Sequence, residues 1–576
     1  MIDSILADIE VASGRKLADM VLRGGRILDV FTGALIPGDL AIRGEWIIAV
    51  GKGYHGLVEK DLDNKVIVPG LIDTHVHIES SLQGPGGFVE LTLPRGTTTV
   101  IADPHEIANV RGMAGIRWML EASEGLPQSI FLMLPSCVPA TRFEDSGAEL
   151  TVSDLETFIN HPRVLGLGEV MDYPMVAAGG MDVVKKIAMS RQAGKRIDGH
   201  CPGLGGSDLA AYIVAGIESD HECTDIKEMS EKLRMGMRIL IREGTAARDL
   251  ATLIGGIGGG TERRCAFCTD DKLPGDILTE GHIDFNVREA IRHGLSPAKA
   301  IRMATLNGAE AFRLEDRGAL CPNRRADMLV LRGELEDFDV DMVYQGGQLV
   351  AKGGKLICDL PQSDNQPVRD TVRISKLDSR ELDLKLQSSR ARVISLISGS
   401  LITENLVLEV EVDERGLFAA ASNLLKLAVV ERHKDSGRIG LGILKGYGLS
   451  GGAIASSIAH DAHNLICVGD DDAAMLAALG ALEASGGGLT LAATGGQMLG
   501  VLPLPLGGLM SDESGSVIVR KLGRLTELAH KKLSVRAELD PFMSLSFLSL
   551  SVIPDLKLTA RGLFDVQAFD FTSIDP

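Results

Sequence analysis

Residues 66–81 read VIVPGLIDTHVHIESS, an apolar run that turns at Pro69 and Gly70 and then carries two histidines, His75 and His77. A short run of Val, Ile and Leu of this kind predicts a buried strand. In an extended segment residues i and i+2 point to the same side, so both imidazoles can reach one metal ion. A lone His-x-His is equally compatible with two ordinary core or surface histidines, and the rest of the chain has to decide between these interpretations.

Seven further apolar runs follow the first, separated by stretches of helical character. Strands that alternate with helices predict a parallel sheet, and eight such units within roughly 250 residues predict a (β/α)8 barrel. We therefore expect a TIM barrel over residues 69–317. After VIVPGLIDTH, the predicted strands are TTTVIAD (97–103), SIFLMLPS (129–136), VLGLGEV (164–170), RIDGH (196–200), GIESDH (216–221), RILIRE (238–243) and CAFCTDD (265–271).

The last helix of the barrel is predicted in GLSPAKAIRMATLNGAEAF (294–312). Ser296 is a residue type that caps helix N-termini, and Pro297 suits the first helical position. We expect the barrel to end with this helix.

The segments that flank the barrel have a different pattern. Short β-rich runs with glycine turns precede the barrel, and the same pattern resumes after it. We expect residues 1–68 and 318–358 to form one small β-domain, a β-sandwich, that the barrel splits. A linker rich in proline and polar residues follows at 359–370. Residues 375–576 are expected to form an additional C-terminal α/β domain, and the fold class of the chain is α/β.

Composition argues against several classes of partner. The formal net charge is −19, which disfavours nucleic acid and anionic membranes because such a surface repels them. The N-terminus lacks the apolar core of a signal peptide. The longest apolar stretch, at 498–510, is broken by prolines and too short to span a bilayer. We expect a soluble, cytoplasmic protein with neither nucleic-acid nor membrane partners.

Chain length and hydropathy bear on domain and subunit organisation. A chain of 576 residues is too long for a single core. The eight cysteines are scattered, unlike those of a secreted disulfide scaffold. A mean hydropathy of +0.14 on an acidic chain favours a buried subunit interface. We expect a homo-oligomer, with a dimer favoured.

Metal-competent side chains follow several of the predicted strands at the point where each strand ends. Catalytic groups of (β/α)8 barrels sit at the C-terminal ends of the strands. Chance would rarely place six such side chains at five strand ends of one barrel. They are His75 and His77 after strand one, Glu169 on strand four, His200 after strand five, His221 after strand six and Asp270 after strand eight.

With these residues and their surroundings, the chain resembles the amidohydrolase superfamily and, within it, the adenine deaminases. The resemblance runs through nearly the whole chain. Many amidohydrolases bridge two metals with a carbamylated lysine on strand four, whereas Glu169 stands there in this chain, as in adenine deaminases. The stretches that carry the resemblance are PGLIDTHVHIESS (69–81), ADPHEIANV (102–110), GLGEVMDYP (166–174), DGHCPGL (198–204), SDHEC (219–223) and FCTDDKLPGDILTEGHID (267–284).

The resemblance implies two divalent metal ions per chain. His75, His77 and Asp270 would bind one ion, His200 and His221 would bind the other, and Glu169 would bridge them. Ligation by nitrogen and oxygen without thiolate fits Fe(II), Mn(II) or Zn(II). The resemblance favours manganese or iron, and zinc remains possible.

The resemblance also implies an activity, the hydrolysis of adenine to hypoxanthine and ammonia in purine salvage. Paired cations would provide hydroxide at neutral pH, and Asp270 would carry its proton to the leaving amine. His105 is expected to act on the purine ring and Glu169 to act at the metals. Glu106 is expected to orient His105, and the loop residues that follow Asp270, namely Asp271 and Lys272, are expected to shape the mouth of the site.

Other functions compete with this interpretation. The first is an amidohydrolase that acts on a cyclic amide or on a different aminopurine; Glu169 and the loop CTDDKLPGD (268–276) speak against the cyclic amide. The second is a non-catalytic scaffold that only binds metal. A decayed site should lack at least one ligand, and this set is complete.

A zinc deaminase signature, H-x-E followed by P-C-x-x-C, is only partly matched. Glu79 follows His77 at the right spacing, but Arg264 stands where proline is required before Cys265. The Cys265–Cys268 stretch falls within the predicted eighth strand. We expect its two cysteines to point to the same face and to pack in the core.

SIAHDAHN (457–464) in the C-terminal domain places His460, Asp461 and His463 within four residues. Such a cluster is compatible with an auxiliary metal site or with a supporting role at the active site. A structural turn is the favoured interpretation.

Overall fold

The computed structural model describes residues 2–397, 400–420 and 423–576. The chain begins with helix α1 (Ile2–Ala12), and a group of strands follows. The first strand pairs with the second in antiparallel fashion and with the fourth and fifth in parallel fashion. These strands are β1 (Ala18–Asp29), β2 (Ala34–Arg43), β3 (Trp46–Gly51), β4 (Gly56–Asp61) and β5 (Val66–Pro69).

The next eight strands run parallel to one another, in chain order, around a barrel. Most of their residues are buried, as expected for a parallel sheet that is covered on both faces. They are β6 (Leu71–Val76), β7 (Thr97–Ala102), β8 (Ser129–Leu134), β9 (Val164–Val170), β10 (Arg196–Gly199), β11 (Ser219–Asp220), β12 (Arg238–Arg242) and β13 (Cys265–Cys268).

Two seams close the ring. At one seam β13 meets β6, where the N–H of Asp270 donates to the carbonyl oxygen of His75 at 3.0 Å. At the other seam β10 meets β11, where the N–H of Glu218 donates to the carbonyl oxygen of Ile197 at 3.0 Å. The predicted (β/α)8 barrel is therefore confirmed, and the last strand returns to the strand that leads to the two histidines.

Helices surround the barrel and connect its strands. The last stretch differs from the prediction, because it forms two helices separated at Ala304 and Thr305 rather than one. Thr305 Oγ1 donates to the carbonyl oxygen of Ile301 at 2.6 Å, a local bond that competes with the helix ladder. Ser296 occupies the N-cap position, but its side chain makes no capping hydrogen bond.

The bounds of these helices are α2 (Pro85–Thr92), α3 (His105–Ala122), α4 (Val152–Glu156), α5 (Tyr173–Ala177), α6 (Met181–Gln192), α7 (Gly206–Ala215), α8 (Ile226–Arg234), α9 (Leu250–Leu253), α10 (Pro274–Thr279), α11 (Ile283–Arg292), α12 (Pro297–Met303) and α13 (Leu306–Ala311). Helix α3 begins with His105, which lies beside Glu169 of β9.

After the barrel the chain returns to the sheet of β1–β5. Strand β15 pairs with β5 in antiparallel fashion, so both segments share one ten-stranded sheet. Leu22 and Ile47 from the first segment pack in one hydrophobic cluster with Met328 and Tyr344 from the second. The returning strands are β14 (Arg324–Arg325), β15 (Met328–Leu331), β16 (Val340–Gln345), β17 (Gln348–Lys352) and β18 (Lys355–Leu356).

The C-terminal region contains an eight-stranded and a three-stranded sheet. Its first helix, α14 (Asp472–Ser485), packs against the larger sheet, and its other helices are α15 (Gly515–Lys532) and α16 (Met543–Ser546). The strands are β19 (Arg390–Leu396), β20 (Thr403–Glu409), β21 (Leu424–Val430), β22 (Ile439–Lys445), β23 (Gly452–Ser456), β24 (Leu465–Gly469), β25 (Gly488–Ala493), β26 (Gln497–Pro503), β27 (Leu556–Thr559), β28 (Gly562–Asp565) and β29 (Asp570–Phe571).

This C-terminal region packs on loops at the C-terminal end of the barrel. The N–H of Ser511 donates to the carbonyl oxygen of Leu82 at 2.9 Å. Thr141 Oγ1 and Ser551 Oγ hydrogen-bond each other at 2.8 Å. The C-terminal domain thus covers the C-terminal end of the barrel. Across the described residues, no helix combines the length and apolarity needed to cross a membrane.

The two cysteines of β13 lie on opposite faces of the strand, so the expectation of a shared face is wrong. Cys265 packs in the large cluster between strands and helices, whereas Cys268 packs with Leu240 and Ala266 inside the barrel. The reason is the alternation of side chains along a strand, which sends residues three apart to opposite faces. Both cysteines are buried, as expected.

Candidate metal centre and active site

The end of β6 brings His75 and His77 to the axis of the barrel. Their Nε2 atoms lie 3.6 and 3.1 Å from Asp270 Oδ1, which follows β13 across the seam. Asp270 adopts a left-handed backbone conformation, with φ of 57°. These three residues offer ligand atoms close enough together to surround one ion.

Glu169, near the end of β9, lies between this group and the remaining histidines. Its Oε1 is 3.8 Å from His75 Nε2 and 3.3 Å from His77 Nε2. Its Oε2 is 2.8 Å from His200 Nδ1 and 3.4 Å from His221 Nε2. The structure thus brings all six predicted ligands together, with one oxygen of Glu169 directed to each side.

Carboxylate and carbonyl groups behind the first two histidines set their orientation. His75 Nδ1 lies 3.1 Å from Asp198 Oδ2, and His77 Nδ1 lies 3.0 Å from the carbonyl oxygen of Asp103. Both acceptors call for a proton on Nδ1, which leaves the Nε2 lone pair directed to the centre. His75 Nε2 and Glu169 Oε1 are among the buried polar atoms of the described residues that have no hydrogen-bond partner.

The electrostatic potential of the cluster also favours bound cations. Burial lowers the pKa of His75, but Asp198, Asp270 and Glu169 outweigh burial and raise it to about 10. Burial likewise lowers the pKa of His200, while Glu222 and Glu169 raise it to about 9. Carboxylates therefore dominate the potential at the centre. This potential, the unpartnered atoms and the nitrogen and oxygen donors fit divalent metal ions.

His105 is the first residue of α3 and lies beside the predicted ligands. Its Nδ1 is 3.2 Å from Glu169 Oε1, and its Nε2 is 3.4 Å from Glu106 Oε1. Glu106 also contacts His460 and His463 of the C-terminal domain. The expectation that these two histidines belong only to a structural turn is wrong, because both imidazoles meet a barrel carboxylate next to the site.

The loop after β13 divides its side chains between two places. Asp271 accepts a hydrogen bond from Ser80 Oγ and faces the cavity at the barrel mouth. Lys272 is buried on the other side, where its Nζ lies 4.6 Å from the ring centre of Phe285 and 3.3 Å from the carbonyl oxygen of Glu243. Lys272 therefore does not line the cavity, because its side chain packs under the loop.

The cavity at the mouth lies between two domains. The space between its walls, which is partly open to solvent, is about 690 Å³. The barrel contributes the carboxyl groups of Glu79, Glu106 and Asp271, and the C-terminal domain contributes His460 and Phe547. Apolar side chains such as Leu82, Leu489 and Phe542 make up much of the remaining lining, so an aromatic ring with polar atoms at its edge fits this cavity.

Several polar residues at the site were missed by sequence reasoning. Besides Asp103 and Asp198, Arg242 Nη1 donates to Asp270 Oδ2 at 3.0 Å and also contacts Glu222. Asp103 could have been found, since it is a charged residue at the end of the predicted strand TTTVIAD, and Asp198 lies inside the predicted strand RIDGH, two residues before His200. Arg242 and Glu222 carry a similar signal, because each lies at or just past a strand end.

Comparison with known proteins gives two family matches. Residues 66–350 match the amidohydrolase family, and residues 400–570 match the adenine deaminase C-terminal domain. The chain is similar to an adenine deaminase from Nitratidesulfovibrio vulgaris (strain DP4), with 50% identity and 98% of both chains covered. It is 45% identical to an adenine deaminase from Clostridium acetobutylicum, covering 98% of this chain and 99% of the relative.

Among solved structures, a β-aspartyl dipeptidase from Fervidobacterium islandicum AW-1 aligns with a TM-score of 0.47 and 18% identity, covering 60% of this chain and 100% of that chain. The sequence relatives match across the barrel, the split sheet and the C-terminal region alike. Identity at this level over almost the entire length shows that the chain belongs to the adenine deaminase family of amidohydrolases.

Proposed function

We propose that this protein hydrolyses adenine to hypoxanthine and ammonia, with a role in purine salvage. The observation that carries the proposal is the likeness, over nearly the whole chain, to proteins named adenine deaminase. The cluster of imidazoles and carboxylates at the barrel mouth supports it, because hydrolysis of an amidine carbon needs an activated water. Adenine is the small-molecule partner.

We further propose two divalent metal ions per chain, manganese or Fe(II) before zinc. His75, His77 and Asp270 would hold one ion, His200 and His221 the other, and Glu169 both. When bound, such a pair lowers the pKa of a water molecule so that hydroxide is present at neutral pH. The spacing of the two oxygens of Glu169 between two sets of histidines supports this division.

Asp270 is proposed as the proton carrier. It takes the proton of the attacking water and delivers it to the amino group that leaves carbon 6 as ammonia, so that water adds and ammonia departs with no net proton change. Arg242 holds the second oxygen of this carboxylate and keeps its first oxygen directed into the centre.

His105 and the cavity carboxyls are proposed to act on the purine. His105 lies next to Glu169 and can donate a proton to a ring nitrogen as the carbon is attacked, and it regains a proton when the new hydroxyl on carbon 6 loses its own. Glu106 orients His105, and Asp271 lines the cavity where the ring would lie. Lys272, packed beneath the loop, would act only by supporting Asp271.

The decisive experiment is a substrate panel with protein loaded with Mn(II) or Fe(II). Adenine, other aminopurines and cyclic amides are each incubated with the protein, and ammonia and hypoxanthine are measured. We expect adenine to give the highest kcat/KM. Turnover confined to a cyclic amide or to another aminopurine would replace adenine as substrate, and no turnover at all would favour a metal-binding scaffold.

Subunit organisation and location are part of the same proposal. We propose a cytoplasmic homodimer that does not bind nucleic acid, consistent with the net charge of −19. Helix α1 supports an interface, since its apolar side chains Ile2, Ile5, Leu6 and Ile9 are exposed. Size-exclusion chromatography with light-scattering detection would measure the mass of the assembly.

A further inference from the structure

A loop of the C-terminal domain, residues 457–464, reaches the first turn of barrel helix α3. His460 Nδ1 lies 2.8 Å from Glu106 Oε1, and His463 Nε2 hydrogen-bonds Glu106 Oε2. All three side chains are buried. One carboxylate of the barrel is therefore shared by two histidines of another domain.

The second hydrogen bond of His463 assigns its proton. Its Nδ1 accepts the backbone N–H of Ala459 at 3.3 Å, so Nδ1 carries a lone pair and Nε2 carries the proton. His463 therefore donates to Glu106. Glu106, His460 and His463 lie close enough to enclose an ion, but in this tautomer His463 Nε2 has no lone pair to offer a metal.

The loop is held firmly by its own domain. The N–H of His460 donates to the carbonyl oxygen of Ser546 at 2.9 Å, and the His460 ring stacks on Phe547 with centroids 4.5 Å apart. Arg432 donates through Nε to the carbonyl oxygen of His463. Because the two imidazoles are anchored, they restrict the position of the Glu106 carboxylate.

Glu106 in turn contacts His105, which lies beside the predicted metal ligands. Its Oε1 is 3.4 Å from His105 Nε2, and His105 Nδ1 is 3.2 Å from Glu169 Oε1. We propose that His460 and His463 are positioning residues, by which the C-terminal domain holds Glu106 and, through it, the imidazole of His105 in its working orientation. This inference rests on the proposed deamination.

The test compares variants that keep the donated hydrogen bond with variants that lose it. In His460→Asn the amide nitrogen replaces Nδ1, and in His463→Gln it replaces Nε2; His460→Leu and His463→Met keep similar bulk without a donor. We expect kcat for adenine to fall roughly 10–100-fold in the Leu and Met variants, with metal content unchanged. The Asn and Gln variants should recover most of the loss.

The control is His530→Met, which alters a histidine of the same domain whose Nδ1 hydrogen-bonds the nearby carbonyl oxygen of Val535 at 3.1 Å. A second readout is non-additivity. If His463 acts through Glu106, His463→Met should add little to the loss of kcat already present in Glu106→Gln. A purely structural contribution would add fully.

Wild-type kcat in folded His460→Leu and His463→Met would overturn the proposal, as would additive losses in the double variant. A drop of one metal ion per chain would assign a metal site instead. If the Leu and Met variants do not fold, loss of kcat in folded His463→Gln contradicts the hydrogen-bond role. Wild-type protein inert towards adenine would refute the proposed function, and an unchanged His105 ring in a crystal structure of His463→Met would then refute the positioning.

Discussion

Asp270 is proposed both as a metal ligand and as the proton carrier of the site. One oxygen faces the Nε2 atoms of His75 and His77, and the other accepts a hydrogen bond from Arg242. Its backbone is left-handed, with φ of 57°, a conformation that costs a non-glycine residue energy and persists where the surroundings impose it. The fold therefore holds this carboxylate in one place.

The first prediction concerns Asp270→Asn. The amide has nearly the shape of the carboxylate but accepts no proton, so we expect kcat for adenine to fall about 10²–10⁴-fold. Metal content should fall less than kcat, because the other five proposed ligands remain. Hypoxanthine formation, elemental analysis and an adenine binding titration measure these quantities. Near-normal turnover would contradict proton transfer by Asp270.

The second prediction concerns Glu169→Gln. Both oxygens of Glu169 face histidines, Oε1 towards His77 and Oε2 towards His200. The amide offers one neutral acceptor oxygen and directs N–H groups at the other side. We expect metal retention and turnover to fall together, as measured by metal analysis after dialysis and by ammonia release. Retention of both at wild-type level would remove Glu169 from the centre.

At the level of elements, the site depends on where strands and helices end. A predicted ligand lies within two residues of the end of each of the strands β6, β9, β10, β11 and β13, and His105 is the first residue of α3. In the C-terminal domain, α14 lies against the strands that flank loop 457–464. The N-terminus of this helix is capped by Asp471, whose side chain accepts the N–H of Ala474 at 2.8 Å.

The third prediction concerns this cap. Asp471→Ala should destabilise the C-terminal domain by about 1 kcal/mol, because an orphan N–H loses its acceptor. For a domain of this size that corresponds to a drop in Tm of roughly 2–4 °C, measured by calorimetry. Asp471→Ser retains an acceptor oxygen and serves as the matched control. An equal drop in both variants would show that capping is not the cause.

At the scale of the whole molecule, a partly buried polar contact joins the barrel and the C-terminal domain. Asp145, in the loop after β8, accepts hydrogen bonds from Arg561 at 2.7 Å and from Arg438 at 2.6 Å. Its backbone carbonyl accepts from Asn464, the last residue of loop 457–464, at 2.8 Å. Burial raises the pKa of Asp145, but the two guanidinium groups outweigh it and lower that pKa.

The fourth prediction is that Asp145→Asn weakens the packing of the C-terminal domain on the barrel. Removing the charge leaves two arginines without their carboxylate, so we expect faster amide hydrogen exchange in loop 457–464, measured by mass spectrometry. Asp413→Asn is the control, since Asp413 pairs with Arg415 only two residues away. Exchange that is unchanged in Asp145→Asn would show that the charge of Asp145 does not contribute to holding the two domains together.

Much of the barrel and of the cluster of candidate ligands could be predicted because the signals are local. The apolar runs predict strands one by one, and each ligand stands next to the end of its own run, as Glu169 does in VLGLGEV. The division of helix 294–312 and the opposite faces of Cys265 and Cys268 are also local features. Both predictions failed on details of side-chain bonding and strand alternation, not on the type of element.

The sequence by itself determined the order of strands, the position of the candidate ligands along them and the family. Only the tertiary structure decided which groups meet around those ligands. Glu106 and His460 are 354 positions apart in the chain, and their contact depends on how the C-terminal domain packs on the barrel. Lys272 likewise turned away from the cavity because Phe285 and Glu243 receive its ammonium group. The hydrophobic period of a strand or helix can be read from residues that are neighbours in the chain. Contacts such as these arise instead when surfaces that are distant in the chain pack together.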